Sequence, residues 1–285
     1  MNIISSQAQL LILPPSESAA PAVFKNIDRN GRRHDQLLAE MQRLRGLIYL
    51  RDGAIQAAEL TSDGRHKLAI DKHSWHILAL DAGGRVSGCL RYLEEKRAAR
   101  FEDLWIQQSA LANCPVWGRK FRRAVEVEMA QARQKRFGFG EVGGWAVGED
   151  RRWTIDPLRM VLTACGLFRL LGGCVGLATA TVRHGSAAIL RRIGLKPLRA
   201  DNLELPPYYD PHYHCQMEAL RFDSDFPNPK YAKAIDELSS QLEGVPVVCR
   251  EDRIPEWRDL LRGIDLPAAR RPVIASLQPV TWPVG

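Results

Sequence analysis

The stretch from Gly138 to Leu198 constrains the fold of this chain more than any other part of the sequence. Residues 141–147 and 174–181 have the length and apolar character of strands, and the second is apolar enough to be buried on both faces. Between them, residues 156–170 place apolar side chains on one helical face, and Gly172-Gly173 ends that helix. A strand, a helix and a second strand in this order predict a right-handed crossover with two parallel neighbouring strands.

A basic loop connects the first of these strands to the helix. Arg151 and Arg152 lie just before Asp156-Pro157, where Asp is expected to cap the helix and Pro to occupy its first position. Free backbone N–H groups and the positive end of the helix dipole bind phosphates at such places. The loop is therefore either a phosphate-binding site or a solvated connection in a structural βαβ unit.

The remaining elements predict a mixed α/β sheet whose central strand pair is parallel. Gly-containing residues 81–85 separate two apolar runs, 75–80 and 86–93, which predicts an antiparallel hairpin. Hydrophobic spacing predicts helices over 35–49, 101–111, 119–136, 186–193 and 232–242, and a strand over 215–222. We expect a flexible leader over residues 1–30, one domain over 31–244 and a Pro- and Arg-rich tail over 245–285.

Composition excludes several classes of protein. The hydrophobic content is 45% and the charged content 26%, as in ordinary globular domains. The net charge of +7 is spread along the chain, which favours an acidic protein or a phosphate-bearing ligand over nucleic acid. Six cysteines without a C-x-x-C pair indicate a reducing cytoplasm and no structural zinc, and the histidines at 212 and 214 lack the pattern of metal ligands. No apolar run is long enough for a transmembrane helix, and peripheral contact with a membrane stays open.

The order of elements and five short motifs resemble the GNAT acyltransferases, in particular the branch of acyl-homoserine-lactone synthases and N-acyl amino acid synthases. The resemblance covers roughly residues 37–224, and its motifs are residues 45–49 (RGLIY), 71–80 (DKHSWHILAL), 88–92 (GCLRY), 141–147 (EVGGWAV) and 185–194 (GSAAILRRIG). It implies a GNAT-like mixed sheet, flanked by helices, in which the central parallel strands splay apart.

The resemblance also implies a function. The chain would be an N-acyltransferase that moves a fatty acyl group from acyl carrier protein or acyl-CoA to the amine of an amino acid, with no permanently bound cofactor. The pantetheine arm would lie between the splayed strands, against Trp145, Ala146 and Val147. Arg151, Arg152 and Ser186 would hold the rest of the donor, although a helix cap explains Ser186 equally well.

Aminolysis of a thioester needs a proton acceptor and a group that stabilises the oxyanion. The resemblance assigns the first role to Glu141; the alternative is a strand-edge carboxylate paired with an arginine. It places Arg91 and Asp71 on the acceptor side, where they would hold a carboxylate and an amine, or form a buried structural ion pair. Tyr209 or Tyr213 would protonate the leaving thiolate. Arg45 is expected to be solvated on its helix.

The sequence departs from the lactone synthases at three positions. His66 and Leu68 stand where those enzymes carry acidic residues, and Gly144 stands where they carry an arginine. These departures favour an N-acyl amino acid synthase over a lactone-type signal synthase that uses S-adenosylmethionine. A further alternative is an inactive GNAT-like module that binds acyl thioesters or an anionic partner.

Overall fold

The computed structural model describes residues 8–250, and its helices and strands alternate through most of that range. The helices are α1 (Gly31–Arg51), α2 (Gly118–Lys135), α3 (Asp156–Leu170), α4 (Ser186–Ile193) and α5 (Pro229–Leu242). The strands are β1 (Gln9–Leu13), β2 (Ile27–Arg29), β3 (Trp75–Leu80), β4 (Val86–Glu95), β5 (Gly138–Val147), β6 (Cys174–Thr181), β7 (Lys196–Pro197), β8 (Arg199–Ala200), β9 (Leu203–Glu204), β10 (Tyr208–Asp210), β11 (Cys215–Asp223) and β12 (Val247–Cys249).

One mixed sheet contains most of the strands. Its order is β10-β11-β6-β5-β4-β3-β1-β12-β2, with β7 pairing to β11, while β8 and β9 form a separate small ribbon. The β3–β4 hairpin and the parallel β5–β6 pair at the centre are confirmed. The parallel pair follows from the crossover through α3, which returns the chain to the same end of the sheet.

Helices cover both faces of the sheet. On one face, which we call the α1/α2 face, α1 packs over β1, β3 and β4 and α2 packs over β5, β6 and β11. On the other face, α3, α4 and α5 cover a continuous core that reaches from β1 to β11. Strands β3 and β6 are apolar because both of their faces are buried. No helix within residues 8–250 is long and apolar enough to cross a membrane.

Three expectations differ from the structure. Gln9–Leu13, placed in a flexible leader by the sequence, forms β1 between β3 and β12, because its four leucine and isoleucine side chains are buried. Residues 247–249, assigned to the tail, form β12 beside β1. Residues 101–111 contain two short 3₁₀ turns at 101–103 and 105–108 in place of one helix. The rest of the predicted tail, 251–285, lies outside the described residues.

Candidate active site

The central strands β5 and β6 separate halfway along their length. Their parallel register runs from Gly138 opposite Cys174 to Val142 opposite Ala178. Beyond that point β5 continues along β4 and β6 continues along β11. Among residues 8–250, no strand pairs with the β6-facing edge of β5 from 143 to 147, and a gap opens there.

A β-bulge accompanies the separation. Arg91 of β4 is opposite Gly143, whereas Cys89 is opposite Ala146, so β5 carries one extra residue. Gly144 lies in the bulge with φ +61°, the left-handed region that glycine adopts without cost. A side chain at 144 would approach the Arg91 Cβ to 3.2 Å and the Arg45 Nη1 to 3.4 Å. Glycine therefore permits both the bulge and the close approach of two arginines.

The residues predicted to hold the donor lie along this gap. Ala146 and Val147 are buried in the sheet, and Trp145 is half-buried with an indole N–H that has no hydrogen-bond partner within residues 8–250. Ser186, the first residue of α4, shares a 2.9 Å hydrogen bond with the Thr181 hydroxyl and lies 2.9 Å from the Thr181 carbonyl oxygen. The cap position itself is Gly185. The Ser186 hydroxyl thus closes the turn from β6 to α4.

The basic loop, residues 148–155, is balanced by carboxylates. Arg151 donates to Asp156 at 2.7 Å, and Arg152 pairs with Asp52 at the end of α1. Ile155, not Asp156, is the cap residue of α3, and the Asp156 carboxylate binds Arg151. Both predicted phosphate ligands are therefore engaged within the protein.

A cluster of two arginines and one carboxylate lies on the α1/α2 face beside the bulge; we call it the Arg45–Asp71–Arg91 cluster. Arg45 is fully buried and donates to both Asp71 oxygens, at 2.9 and 2.7 Å. The expectation of a solvated Arg45 is wrong, because its position one turn before Tyr49 and one turn after Gln42 places it on the packed side of α1. Gln42 and the Leu68 backbone N–H each donate to Asp71 at 3.0 Å.

Within residues 8–250, Arg91 lacks a counter-ion of its own. The nearest carboxylate oxygen in that range is 4.0 Å away, on Asp71, which Arg45 already binds through both of its terminal nitrogens. Arg91 is 5% exposed, and its Nε and Nη1 have no hydrogen-bond partner among the described residues. Burial and the charge of Arg45 lower the Arg91 pKa. The cluster thus holds two cations against one anion.

Asp71 remains ionised in spite of its burial. Burial alone opposes the charge, but hydrogen bonds and charge from Arg45 outweigh it and lower the Asp71 pKa to about 2. His76, paired across β3 and β4 with Arg91, contacts the Asp71 carbonyl oxygen through Nε2 at 2.7 Å. Burial lowers the His76 pKa to about 4, so its imidazole is neutral and adds no positive charge.

Glu141 lies at the last part of β5 that still pairs with β6. It is 6% exposed, and its two oxygens accept backbone N–H groups from Trp105 at 2.6 Å and Ile106 at 2.8 Å. The alternative of a direct pairing with an arginine differs from the structure, because these contacts come from the 3₁₀ turn at 105–108. Burial raises the Glu141 pKa against the effect of those N–H groups and of Arg91.

The two candidate tyrosines lie in different surroundings. Tyr209 is 54% exposed on the edge strand β10. Tyr213, in the following turn, packs edge-on against Tyr49 with ring centroids 6.4 Å apart. Burial raises the Tyr213 pKa, and Arg91 and Arg45 act on it in the opposite direction. Tyr213 is therefore the tyrosine that shares the surroundings of the cluster.

The sequence did not reveal Gln42 and His76 as members of this region. Gln42, Arg45 and Tyr49 recur at helical spacing on α1, and that shared face could have grouped them. His76 alternates with Trp75 and Ile77, which places it on the same sheet face as its cross-strand partner Arg91. The contact of the Glu141 carboxylate with residues 105 and 106 carries no sequence signal, because the donors are backbone groups.

Comparisons with known proteins agree with this architecture. No protein-family model matches the chain, and no curated protein does either. Among solved structures, a CoA-dependent acyl-homoserine lactone synthase, BjaI, with SAM and isopentyl-CoA, matches with a TM-score of 0.52 and 15% identity over 90% of this chain and 98% of its own. The same protein with MTA gives the same values. The N-acyl amino acid synthase FeeM matches at TM-score 0.42 and 12% identity, over 76% of this chain and 92% of its own. The chain therefore has a GNAT-like fold, and it resembles the acyl-homoserine lactone synthases in that fold.

Proposed function

We propose that the protein is an N-acyltransferase that moves a fatty acyl group from a thioester to the amine of an amino acid. The observation that carries this proposal is the uncompensated charge of Arg91. A buried cation without a counter-ion is costly, and an incoming carboxylate would remove that cost. The α-carboxylate of an amino acid fits the guanidinium, because the two planar groups can share two parallel hydrogen bonds.

The donor would occupy the gap between β5 and β6. Amide groups of a pantetheine arm would pair with the unpartnered edge of β5 from 143 to 147, as an added strand does. The fold match to BjaI, whose structure contains isopentyl-CoA, supports a thioester donor. Acyl carrier protein and coenzyme A both present such a group. The balanced charge of Arg151 and Arg152 argues against a dominant phosphate contact at the basic loop.

The reaction requires an amine aimed at the thioester carbon and an acceptor for its proton. With its carboxylate on Arg91, an amino acid would present its amine near the bulge at Gly144, where the donor reaches the sheet. Glu141 lies two residues before Gly143 on the same sheet face as Arg91 and is proposed as the proton acceptor. Tyr213, which lies against Tyr49 and in the field of Arg91, is proposed to return a proton to the departing sulfur.

An experiment in cells tests the proposal and identifies both substrates at once. Lipid extracts from cells that express the wild-type protein, Arg91→Gln or Arg43→Gln would be compared by mass spectrometry. Arg43 is the matched control, because it lies on α1 in an exposed pair with Asp63. We expect new N-acyl amino acid masses with the wild type and Arg43→Gln, and their loss with Arg91→Gln.

The same experiment separates a second candidate function, an acyl-thioester-binding module without turnover. The engagement of both Glu141 oxygens by backbone N–H groups favours that alternative. No new mass from folded wild-type protein that retains acyl-CoA or acyl carrier protein would refute acyl transfer and support the binding module. If the new masses persist with Arg91→Gln, acyl transfer stands and only the proposed role of Arg91 is refuted.

A further inference from the structure

Two glutamates of neighbouring strands meet beneath the turn at 105–108. Glu141 of β5 is opposite Leu93 of β4, and Glu95 follows two residues later on the same face. Diagonal neighbours of this kind lie within reach of long side chains. Glu141 is 6% exposed and the Glu95 Oε1 is buried, so the two carboxyl groups lie in a poorly solvated space. Two neighbouring buried carboxyl groups resist ionising together, and a hydrogen bond between them requires a proton on one of them, because an ionised carboxylate only accepts.

The surroundings of the two groups decide which one holds the proton. Glu141 accepts two backbone N–H groups, which stabilise its anion, and Arg91 of β4 acts in the same direction. Glu95 differs: its Oε1 is buried without a hydrogen-bond partner in the described part of the chain, and Asp103 of the turn at 101–103 acts on it with a like charge. The proton is therefore favoured on Glu95 and the charge on Glu141.

We propose that Glu95 and Glu141 form a carboxylic acid–carboxylate pair that holds one proton at neutral pH, with Glu95 as the positioning residue that keeps Glu141 ionised and fixed beside the turn at 105–108. The shared proton also joins the ends of β4 and β5 to the turn at 105–108, because Glu141 anchors both Glu95 and that turn. The catalytic part of this inference rests on the proposed acyl transfer, whereas the shared proton itself does not.

The pair balances the protons of the proposed reaction. The amine nitrogen loses one proton when the carbon–nitrogen bond forms, and the ionised Glu141 accepts it. The carbon–sulfur bond then breaks, and the thiolate receives one proton, delivered by Tyr213, which is replenished from the pair. Glu95 and Glu141 therefore end with one proton between them, as they began.

The first test reads the proton directly and needs no activity. Burial and the neighbouring Glu141 charge raise the pKa of Glu95 to about 8. In protein labelled with carbon-13 at glutamate carboxyl groups, NMR is expected to show one resonance that titrates near pH 8 and disappears in Glu95→Gln. A Glu95 resonance that titrates near the ordinary carboxyl value of about 4 would overturn the inference.

The pH dependence of stability gives a second reading. The folded state holds the Glu95 proton more tightly than the unfolded state does, so this contribution is complete below about pH 4 and is lost as pH rises through about 8. Glu95→Gln retains an N–H donor toward Glu141 but does not titrate. We expect its unfolding midpoint to decline less than that of the wild type between pH 6 and 9. Equal declines in the two proteins would contradict a shared proton.

Measurements of kcat distinguish a positioning role of Glu95 from a role in packing alone. With the donor and acceptor that the lipid extracts identify, Glu141→Gln should lower kcat by about 100-fold or more. Glu95→Gln should retain most of the wild-type kcat and lose its decline above pH 8, while Glu95→Ala should lose at least about tenfold. Glu126→Gln, on the exposed side of α2, serves as the unaffected control. Equal kcat and pH profiles for Glu95→Ala and the wild type would refute the positioning role.

Failure of the proposed function is distinguishable from failure of this inference. If the wild type transfers no acyl group, the proposed function fails, and the NMR titration still decides whether the pair shares a proton. If the wild type is active and Glu95 titrates near pH 4, the acyltransferase stands and the pair does not.

Discussion

The two charged regions beside the strand gap differ in how they balance charge. In the Arg45–Asp71–Arg91 cluster, one buried carboxylate serves two buried arginines. In the basic loop, Arg151 and Arg152 each have an aspartate, and the two arginine side chains are more exposed than those of the cluster. Exposed charges are solvated and screened whether or not they are paired, whereas a buried imbalance of charge is costly until a counter-charge meets it. Burial, more than the number of arginines, therefore distinguishes the proposed ligand-binding region from the basic loop.

The largest expected loss of stability follows from replacing the single carboxylate of the Arg45–Asp71–Arg91 cluster. Asp71→Asn leaves Arg45 and Arg91 buried without a charged partner, so we expect a loss of about 3–5 kcal/mol in the free energy of unfolding. Denaturant unfolding measures it. Asp63→Asn is the matched control, because Asp63 pairs with Arg43 of the same helix in solvent. Similar losses in the two variants would contradict the distinction between buried and exposed pairs.

A smaller effect is expected where the bulge meets the cluster. Gly144→Ala places a side chain in left-handed backbone, which costs about 1–2 kcal/mol, and adds contacts with Arg91 and Arg45. Gly53→Ala has a similar φ of +68° but open space around the new Cβ. The difference in stability between the two variants, measured by thermal unfolding, gives the cost of the contacts with Arg91 and Arg45. A loss at Gly53 as large as that at Gly144 would show that the arginines do not constrain the bulge.

Replacement of Arg91 should separate stability from binding. Arg91→Met removes an uncompensated buried cation, so we expect the free energy of unfolding to change by less than about 1 kcal/mol or to rise. Binding of amino acids, measured by calorimetry over a panel, should be lost. Arg45→Met, which leaves Asp71 without its main partner, should be strongly destabilised. Equal destabilisation by the two changes would show that Arg91 is a structural ion-pair member.

The smallest effect is expected in the basic loop. Arg152→Ala removes a partly exposed pair with Asp52, so we expect a change of about 0–1 kcal/mol in the free energy of unfolding. The KM for an acyl-CoA donor should change by less than about threefold, because the loop has little free positive charge. A rise in KM of tenfold or more would indicate that the loop contacts a phosphate of the donor. The basic loop would then contribute to ligand binding, as is proposed for the Arg45–Asp71–Arg91 cluster.

The outcome of the site predictions depends on the kind of signal that each residue carries. Arg91 and Asp71 are predicted together because they belong to motifs that recur in order along the chain. The prediction for Arg45 is wrong because helix periodicity alone does not reveal which charged residue faces a buried aspartate. Between the two tyrosines the sequence does not choose, since Tyr209 and Tyr213 differ in their packing and not in their local pattern.

Local sequence determined the elements of the central region. The apolar run at 174–181, the glycines after α3 and the hairpin turn at 81–85 each act over a few residues, and the structure matches them closely. Tertiary structure decided the partners of the charged groups. The positions of β1 and β12 beside β3, the bond from the turn at 105–108 to Glu141, and the sharing of Asp71 by two arginines all join residues distant in the chain. Backbone conformation is set by short-range sterics, whereas a buried charge is set by every group that the fold brings to it.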